Sequence, residues 1–501
     1  MLDCLFSSVS STGVVLLLLV FLFTILWIFT PKNPGNIPPQ VGISLPFLGH
    51  YHLLDHNPRK QCMRWAKQLG DIYSFYIGQR LVVVLASHEI LKEALVKEAH
   101  AFGHRPVTPV GEKLGRTDVG LTLANGANWK EQRTVTVNIL REMGMGKDLL
   151  ADKISEEAEH FLKYVKEEVG GRTVDLDYPI TLAISNIICN ILKGSRFEYD
   201  DPFFKEIVRD MFENFKLLQA ISPTRYFPIL LLLPGDLWGS KRLFRNFVNV
   251  KELFANKYIK EIEAGTQPNA NFIASYLKEM QSKMDRGQKT YQDKNQLLNI
   301  IIDLFNAGTE TTSTTIKWAL VYMLRNPEVQ ERVYREIEEH VGLEKRPTLQ
   351  DRPKLKYLNV VIMETQRLAS IGPFIVPHAC RQDYTYRGYF IPKGSVVLPF
   401  LDSVLHDEKA WGDPMNFRPE RFFDEEGNIV KPEEFIPFAV GSRACLGESI
   451  AKAELFLFLS AMIQEFRFLP DPISGPPGLE EKVGLTHHPV PFRLRAVPRN
   501  P

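Results

Sequence analysis

From Leu297 to Arg325 the chain reads as one helical segment of about 29 residues, which as a helix would reach ~44 Å, enough to cross a whole domain. Its centre, Ala307-Gly308-Thr309-Glu310-Thr311-Thr312-Ser313-Thr314-Thr315, is built from poor helix formers. Local preference and surrounding pattern conflict there, and such conflicts mark functional sites. A solvated polar face or a break in the helix is the alternative reading. Just beyond, Asn326-Pro327-Glu328 reads as a cap, a proline at the first helical position and an acid in the first turn.

Other helical patterns are Ile154 to Val169, Phe203 to Leu218, Phe244 to Ile262 and Pro327 to Val341. Strand-like material is sparse: Tyr73 to Ile77, Leu81 to Leu85, and Tyr384 to Phe390 with Ser395 to Phe400 as a pair. No internal repeat or mid-chain linker divides the 501 residues, so one large, mostly α-helical body with small β-sheets is expected. Ile229 to Leu233, between Pro228 and Pro234, is too short to span a bilayer and reads as core, pocket wall or a shallow membrane contact.

Composition narrows the function. Lys and Arg total 60 against 59 Asp and Glu, so no charge excess draws a nucleic-acid backbone. Apolar residues at 45% and charged residues at 24% exclude disordered, collagenous and low-complexity classes. Cys4, Cys62, Cys189, Cys380 and Cys445 are too few for a disulfide framework and contain no CxxC pair for structural zinc.

The N-terminus departs from this bulk. Every residue from Val14 to Phe29 except Thr24 is apolar. Sixteen helical residues reach only about 24 Å, and adding Ser10 to Gly13 brings the run to the ~30 Å of a bilayer core. A cleaved signal peptide would want a basic start and small residues at its end, and neither is present. Residues 1–30 are therefore expected as a retained membrane anchor, 31–49 as a stiff proline-rich hinge, and 50–501 as the catalytic domain. Lys32, Arg59 and Lys60 follow the run and place the body in the cytosol. The absence of any Asn-x-Ser/Thr sequon agrees with that side.

Near the C-terminus stands Phe438-Ala-Val-Gly441-Ser-Arg443-Ala-Cys445-Leu-Gly447, followed by a helical run from Glu448 to Phe466. A lone cysteine is usually a small buried hydrophobe. Here the following helix N-terminus and the charge of Arg443 favour a thiolate. Gly441 and Gly447 permit a tight turn and close approach of a large flat ligand. Such a sulfur is a nucleophile or a metal ligand. Neither a second Cys nor an HxxxH pair is positioned to share a metal, so a lone axial thiolate on a haem fits best.

The segment matches Phe-x-x-Gly-x-Arg-x-Cys-x-Gly, the haem-binding signature of the cytochrome P450 family, the haem-thiolate monooxygenases. Four further motifs resemble that family's in order: Trp129-Lys-Glu-Gln-Arg133, Ala307-Gly308-Thr309-Glu310-Thr311-Thr312, Glu364-Thr-Gln-Arg367 and Pro419-Glu420-Arg421-Phe422. The similarity runs from about residue 32 to the end, and the anchored layout is similar to animal microsomal members of family 2. It implies the cytochrome P450 fold, with haem held between the long central helix and the Cys-bearing loop, after one N-terminal transmembrane helix.

The resemblance assigns the residues. Cys445 becomes the axial ligand of haem b (iron protoporphyrin IX). Arg105, Trp129, Arg133, His378 and Arg443 meet the propionates, which need cationic or hydrogen-bonding partners out of water. Phe438, Gly447 and Ala307 also contact the cofactor. Thr311, assisted by Glu310, delivers protons for splitting the O–O bond. Glu364 and Arg367, three apart on one helix face and expected to be partly buried, form with Arg421 a structural triad that supports the Cys loop. Two positions depart from the family pattern: Gln40-Val41 stands where Gly-Pro is common, and Ala439 where Ser or Gly is common, the latter expected to be neutral.

The activity so implied inserts one atom of O₂ into a lipophilic substrate (xenobiotic, steroid or fatty acid). Electrons come from NADPH through NADPH–cytochrome P450 reductase, with cytochrome b5 a further partner, on the endoplasmic reticulum membrane. The chain has no GxGxxG or P-loop to bind the nucleotide itself. Lys130, Arg141, Lys147 and Lys452 are expected as basic contacts of the reductase. A haem-thiolate peroxide isomerase or dehydratase, or a haem sensor, is the alternative, and neither would need the Glu310–Thr311 pair.

Overall fold

The computed structural model describes residues 11–499, apart from 33, 56, 146–147, 219–222 and 266–270. They fall into two compact units. One runs to Pro106 and takes in Pro377–Phe400; the other comprises Val107–Val376 and Leu401–Pro501.

In the first unit, two runs rich in β-branched and aromatic residues make the strands Ile72–Ile77 and Arg80–Leu85. They pair antiparallel with Phe75 opposite Val82. Val396–Pro399 joins the second strand in parallel, and His378–Ala379 closes the sheet antiparallel. The strand pair predicted from Tyr384 to Phe390 and Ser395 to Phe400 does not form. Arg387 at φ 48° and Gly388 at φ 82° turn the first run back on itself. Tyr384–Tyr386 therefore pairs with Tyr389–Ile391, and Val396–Pro399 is left to the larger sheet.

The proline-rich stretch is tied down rather than free. Ser74 Oγ donates to the Pro38 carbonyl at 2.7 Å, Ser74 N donates to that of Pro39 at 2.7 Å, and Asn36 Nδ2 donates to Gly388 O at 2.9 Å. Ahead of it lies the helix Ser11–Phe29, 19 residues, or about 28 Å. Among the described residues no helix is long and apolar enough to cross a membrane, so the expected spanning helix is not shown.

The second unit is built on α1 (Asp177–Lys193), α2 (Lys294–Arg325), α3 (Lys356–Ala369) and α4 (Glu448–Glu465). The long α2 has 32 residues and no break, its first turn capped by Asp293, whose side chain accepts from Gln296 N. Its weak centre is carried by tertiary burial. Hydroxyls there bond back along the helix, Thr311 Oγ1 donating to Ala307 O and Thr315 Oγ1 to Thr311 O, each at 2.8 Å. Helix α1 is buried on every side from Ile180 to Cys189, as an interior helix is. Gly308 lets it come close: a Cβ there would lie 2.5 Å from Ile188 Cδ1. Asn326 ends α2 and, as expected, is also the N-cap of the next helix, Pro327–His340, but its side chain caps neither amide of that helix, Nδ2 donating back to Tyr322 O at 2.8 Å.

Two small sheets have no clear signal in the sequence. Thr173–Val174, Leu494–Pro498 and Phe466–Pro470 form one, and the hairpin Glu481–Val483 with His487–Pro489 the other. Their strands are short and rich in charge and proline. Pro228–Leu232 is a 3₁₀ turn with Ile229 71% and Leu232 80% exposed, which removes core and pocket wall as readings.

Candidate active site

Helix α4 begins directly after the Cys loop, and the loop is held by its own backbone. Cys445 N donates to Phe438 O at 3.0 Å, and Ala444 N to Gly441 O at 3.1 Å. Gly441 at φ 86° and Ala439 at φ 62° both adopt the left-handed region. A side chain at Ala439 therefore costs about 1–2 kcal/mol that glycine, though not serine, avoids. Cys445 is exposed, whereas the free cysteines Cys62, Cys189 and Cys380 are buried. Its sulfur is accessible yet densely surrounded. Burial pushes the thiol up, the Gly447 amide pulls it back, Glu448 adds to the rise, and Arg133 lowers it.

The cation acting on Cys445 is thus Arg133, where the sequence points to Arg443. Arg133 Nη2 donates to Ala444 O at 2.8 Å and clamps the loop. Arg443 lies over the Trp129 ring at 3.9 Å, its Nη2 donating to Ala124 O at 2.7 Å. Burial pulls Arg443 down to about 10, and repulsion from Arg133 adds to the fall. Arg133 is also lowered by burial.

Helix α2 is buried along most of its length, and the less buried positions at its middle include Leu304, Ala307, Gly308 and Thr311. These follow helical spacing and make one open strip. Glu310 faces elsewhere and is fully buried. Its Oε1 accepts from Thr486 Oγ1 at 2.6 Å and meets His488 Nε2 at 2.5 Å. Burial raises the carboxyl, but the bond and charge of His488, with Thr486 and Lys317, outweigh it and hold Glu310 below the usual range.

Helix α4 sends Glu454 back to the same region, where Thr312 Oγ1 donates to its Oε2 at 2.8 Å. Burial pushes Glu454 up to about 8, only partly offset by that bond. On α3, Glu364 and Arg367 are both fully buried. Arg367 Nε and Nη2 each donate to Glu364 at 2.8 Å, and Arg421 Nε donates to Glu364 Oε1 at 3.0 Å. Arg367 and Arg421 also bind the carbonyls of Leu405 and Trp411, at 2.9 and 2.7 Å, so the triad fixes α3 to the loop ahead of the Cys segment.

Arg105 and His378 belong to the first unit and neighbour each other there. Arg105 Nη1 donates to Pro377 O at 3.1 Å, and His378 Nδ1 lies 2.8 Å from Phe102 O. Phe438 is half-buried, with Lys452 Nζ 5.5 Å from its ring centre. Lys452 also pairs with Glu448 at 2.6 Å, whereas Lys130 and Arg141 are exposed; Lys147 lies outside the described residues.

Sequence reasoning passed over Thr486, His488 and Glu454, and took Thr312 only as the end of a motif. A carboxyl inside the apolar run of α4 was a visible signal for Glu454. Only the fold brings Thr486 and His488 beside Glu310.

The residues fit a haem. A lone accessible sulfur suits its iron. Arg133 and Arg443, two partly desolvated guanidiniums that repel each other, suit its carboxylates. A Cβ on Gly447 would meet no atom within 4 Å, leaving the backbone free for close approach of a flat ring.

Comparison with known proteins agrees with the geometry. The cytochrome P450 family model matches residues 39–496. The chain is 38% identical to cytochrome P450 2J2 of Homo sapiens over 475 residues, covering 93% of this chain and 92% of the relative. It is 37% identical to cytochrome P450 2J5 of Mus musculus over 491 residues, 97% and 96% of the two chains. Cytochrome P450 2K4 of Oncorhynchus mykiss is 38% identical over 482 residues, 93% of each. With the signature cysteine, the arginine pair and the long helix in one unit, the chain belongs to the cytochrome P450 family and is a haem-thiolate monooxygenase like the animal family-2 enzymes.

Proposed function

We propose that the protein inserts one atom of O₂ into a lipophilic fatty acid, steroid or xenobiotic and reduces the other to water. Electrons come from NADPH through NADPH–cytochrome P450 reductase, with cytochrome b5 as a further donor. The observation that carries this reading is the accessible Cys445 sulfur, in a loop clamped by Arg133 ahead of α4. Bound haem supplies the binding and reduction of O₂ at its iron. The chain's own residues do the rest. Phe438 O and Arg133 fix the sulfur's backbone, while Trp129, Arg133 and Arg443 hold the propionates. Arg105 and His378 carry that assignment on the resemblance alone.

Along the open strip of α2, Leu304 and Ala307 give an apolar wall and Thr311 its hydroxyl. Rotation about χ1 releases Thr311 Oγ1 from Ala307 O and lets it donate a proton into the site without placing a charge there. Glu310 replaces that proton. Consumption of NADPH and O₂ with added reductase, followed over a lipid, steroid and drug panel, tests the reading. Turnover of a peroxide without NADPH, or haem binding with no turnover, would overturn it.

The same proposal sets the protein on the endoplasmic reticulum membrane, with residues 1–30 as a single-pass anchor and the body in the cytosol. Support comes from side chains that no protein covers, such as Leu16 at 64% and Phe23 at 71% exposure, and from the separate patch around Leu232 and Leu237, 80% and 82% exposed. External protease should digest the body in intact microsomes; protection would refute the orientation.

A further inference from the structure

Glu310 is bound in a way that a purely structural carboxylate would not be. Oε1 is shared by Thr486 and His488, while Oε2 is buried with no hydrogen-bond partner among the described residues. A latch between helix and hairpin would satisfy both oxygens, since a buried bare acceptor is costly. Of the side chains bonded to Glu310, Thr486 is buried, and His488, with 23% of its side chain exposed, reaches solvent. The ring is held from two sides. Nδ1 lies 3.2 Å from Thr314 Oγ1, one turn after Glu310 on the same helix face, and Nε2 lies 3.1 Å from Thr486 Oγ1 on its own hairpin.

We propose that His488 positions Glu310 and returns protons to it from solvent, an inference that rests on the role of Glu310 proposed above. The imidazolium passes its Nε2 proton to Oε1, and rotation about the Cγ–Cδ bond carries that hydroxyl round to the side of the bare oxygen, where the proton is given up. The neutral ring then takes a proton from water at its exposed edge. One proton enters and one leaves, and no electrons move. Histidine suits this step because its charge changes in the physiological range.

Other charges surround the cluster. On α2, Lys317 pairs with Asp177 of α1, beyond which stand Asp175 and Lys216. On the hairpin itself His487 pairs with Glu481 at 3.3 Å. On α4, Glu454, bonded to Thr312 of α2, is the carboxyl that burial pushes up to about 8, and His487, next to His488 on the hairpin, serves as the control.

The test uses the haem-loaded full chain with reductase and two readouts. Product formed per NADPH is followed from pH 5 to 8 in wild type, His488→Gln, His487→Gln and Glu310→Gln. Wild type and His487→Gln should show the same pH-dependent step. In His488→Gln the step should vanish, with coupling at pH 7 lowered by up to about tenfold. The second readout needs no turnover: unfolding midpoints of the His488→Gln and Glu310→Gln single and double variants should be non-additive at pH 7. The non-additivity should fade as pH falls and Glu310, whose folded carboxyl is held low, takes up its proton. If His488→Gln does not load haem, Thr314→Val, which removes only the bond to Nδ1, should shift the same step. An unchanged profile in His488→Gln, or one moved equally by His487→Gln, overturns the inference while a loss of coupling in Glu310→Gln leaves the proposed role of Glu310 standing. Full coupling in Glu310→Gln overturns both.

Discussion

Replacing Glu454 by Gln should flatten the dependence of stability on pH. The Glu454 carboxyl is fully desolvated within α4 and accepts a bond from Thr312, with burial pushing it from 4.5 up to about 8. Between those two values the folded protein keeps a proton that the unfolded chain has released. Stability therefore falls as pH rises through this window, by about 1.4 kcal/mol per pH unit, and is unaffected by this group below it. From pH 5 to pH 8 the loss is about 4 kcal/mol, the same arithmetic over three units. Gln has the same shape, still accepts from Thr312 and does not titrate. At roughly 2 cal/mol/K per residue, a body of some 450 residues shifts about 1 °C per kcal/mol. The gap in unfolding midpoint between Glu454→Gln and wild type should therefore move in favour of the variant by about 4 °C from pH 5 to 8. Differential scanning fluorimetry of the haem-loaded proteins measures it. Parallel curves would mean that Glu454 is ionised in the fold and that the desolvation argument is wrong.

Glu364→Ala leaves Arg367 and Arg421 buried without their carboxylate and should cost about 3–5 kcal/mol, seen as lost haem-bound yield and a lower unfolding midpoint; a midpoint like wild type would refute the triad's role. Ala439→Gly relieves a left-handed backbone worth about 1–2 kcal/mol against a glycine entropy cost of about 0.4–1 kcal/mol, so chemical denaturation should show a net gain of about 0.5–1 kcal/mol. No gain would mean the loop holds its shape without strain. Thr311→Ala should leave haem content and substrate-induced spectral shifts unchanged while product per NADPH falls and hydrogen peroxide rises, and full coupling would show the hydroxyl to be structural only.

What the sequence makes legible is what short stretches decide. The length of α2, the strands Ile72–Ile77 and Arg80–Leu85, and the turn of the Cys segment all rest on local pattern. Burial of Glu364 and Arg367 could be expected from Val360 to Met363 and Leu368 around them. Pairings between distant segments could not. Val396–Pro399 is apolar enough for several partners, and its partner is fixed only because the turn at Arg387-Gly388 occupies the nearer run. The strain at Ala439 needs a backbone angle, and the choice of Arg133 over Arg443 as the cation near Cys445 needs three dimensions. Glu310 likewise is legible in sequence only as the carboxyl beside Thr311. Its neighbours prove to be Thr486 and His488, on a hairpin too short and too polar to be read as strands.

The central claim is that Cys445 is the axial thiolate of a haem. The most direct measurement is the reduced carbonyl difference spectrum of wild type beside Cys445→Ser, Cys62→Ser and Cys189→Ser. Wild type and the two buried-cysteine variants should give the strongly red-shifted Soret band of thiolate ligation, and Cys445→Ser should lose it. The same band persisting in Cys445→Ser would contradict the account.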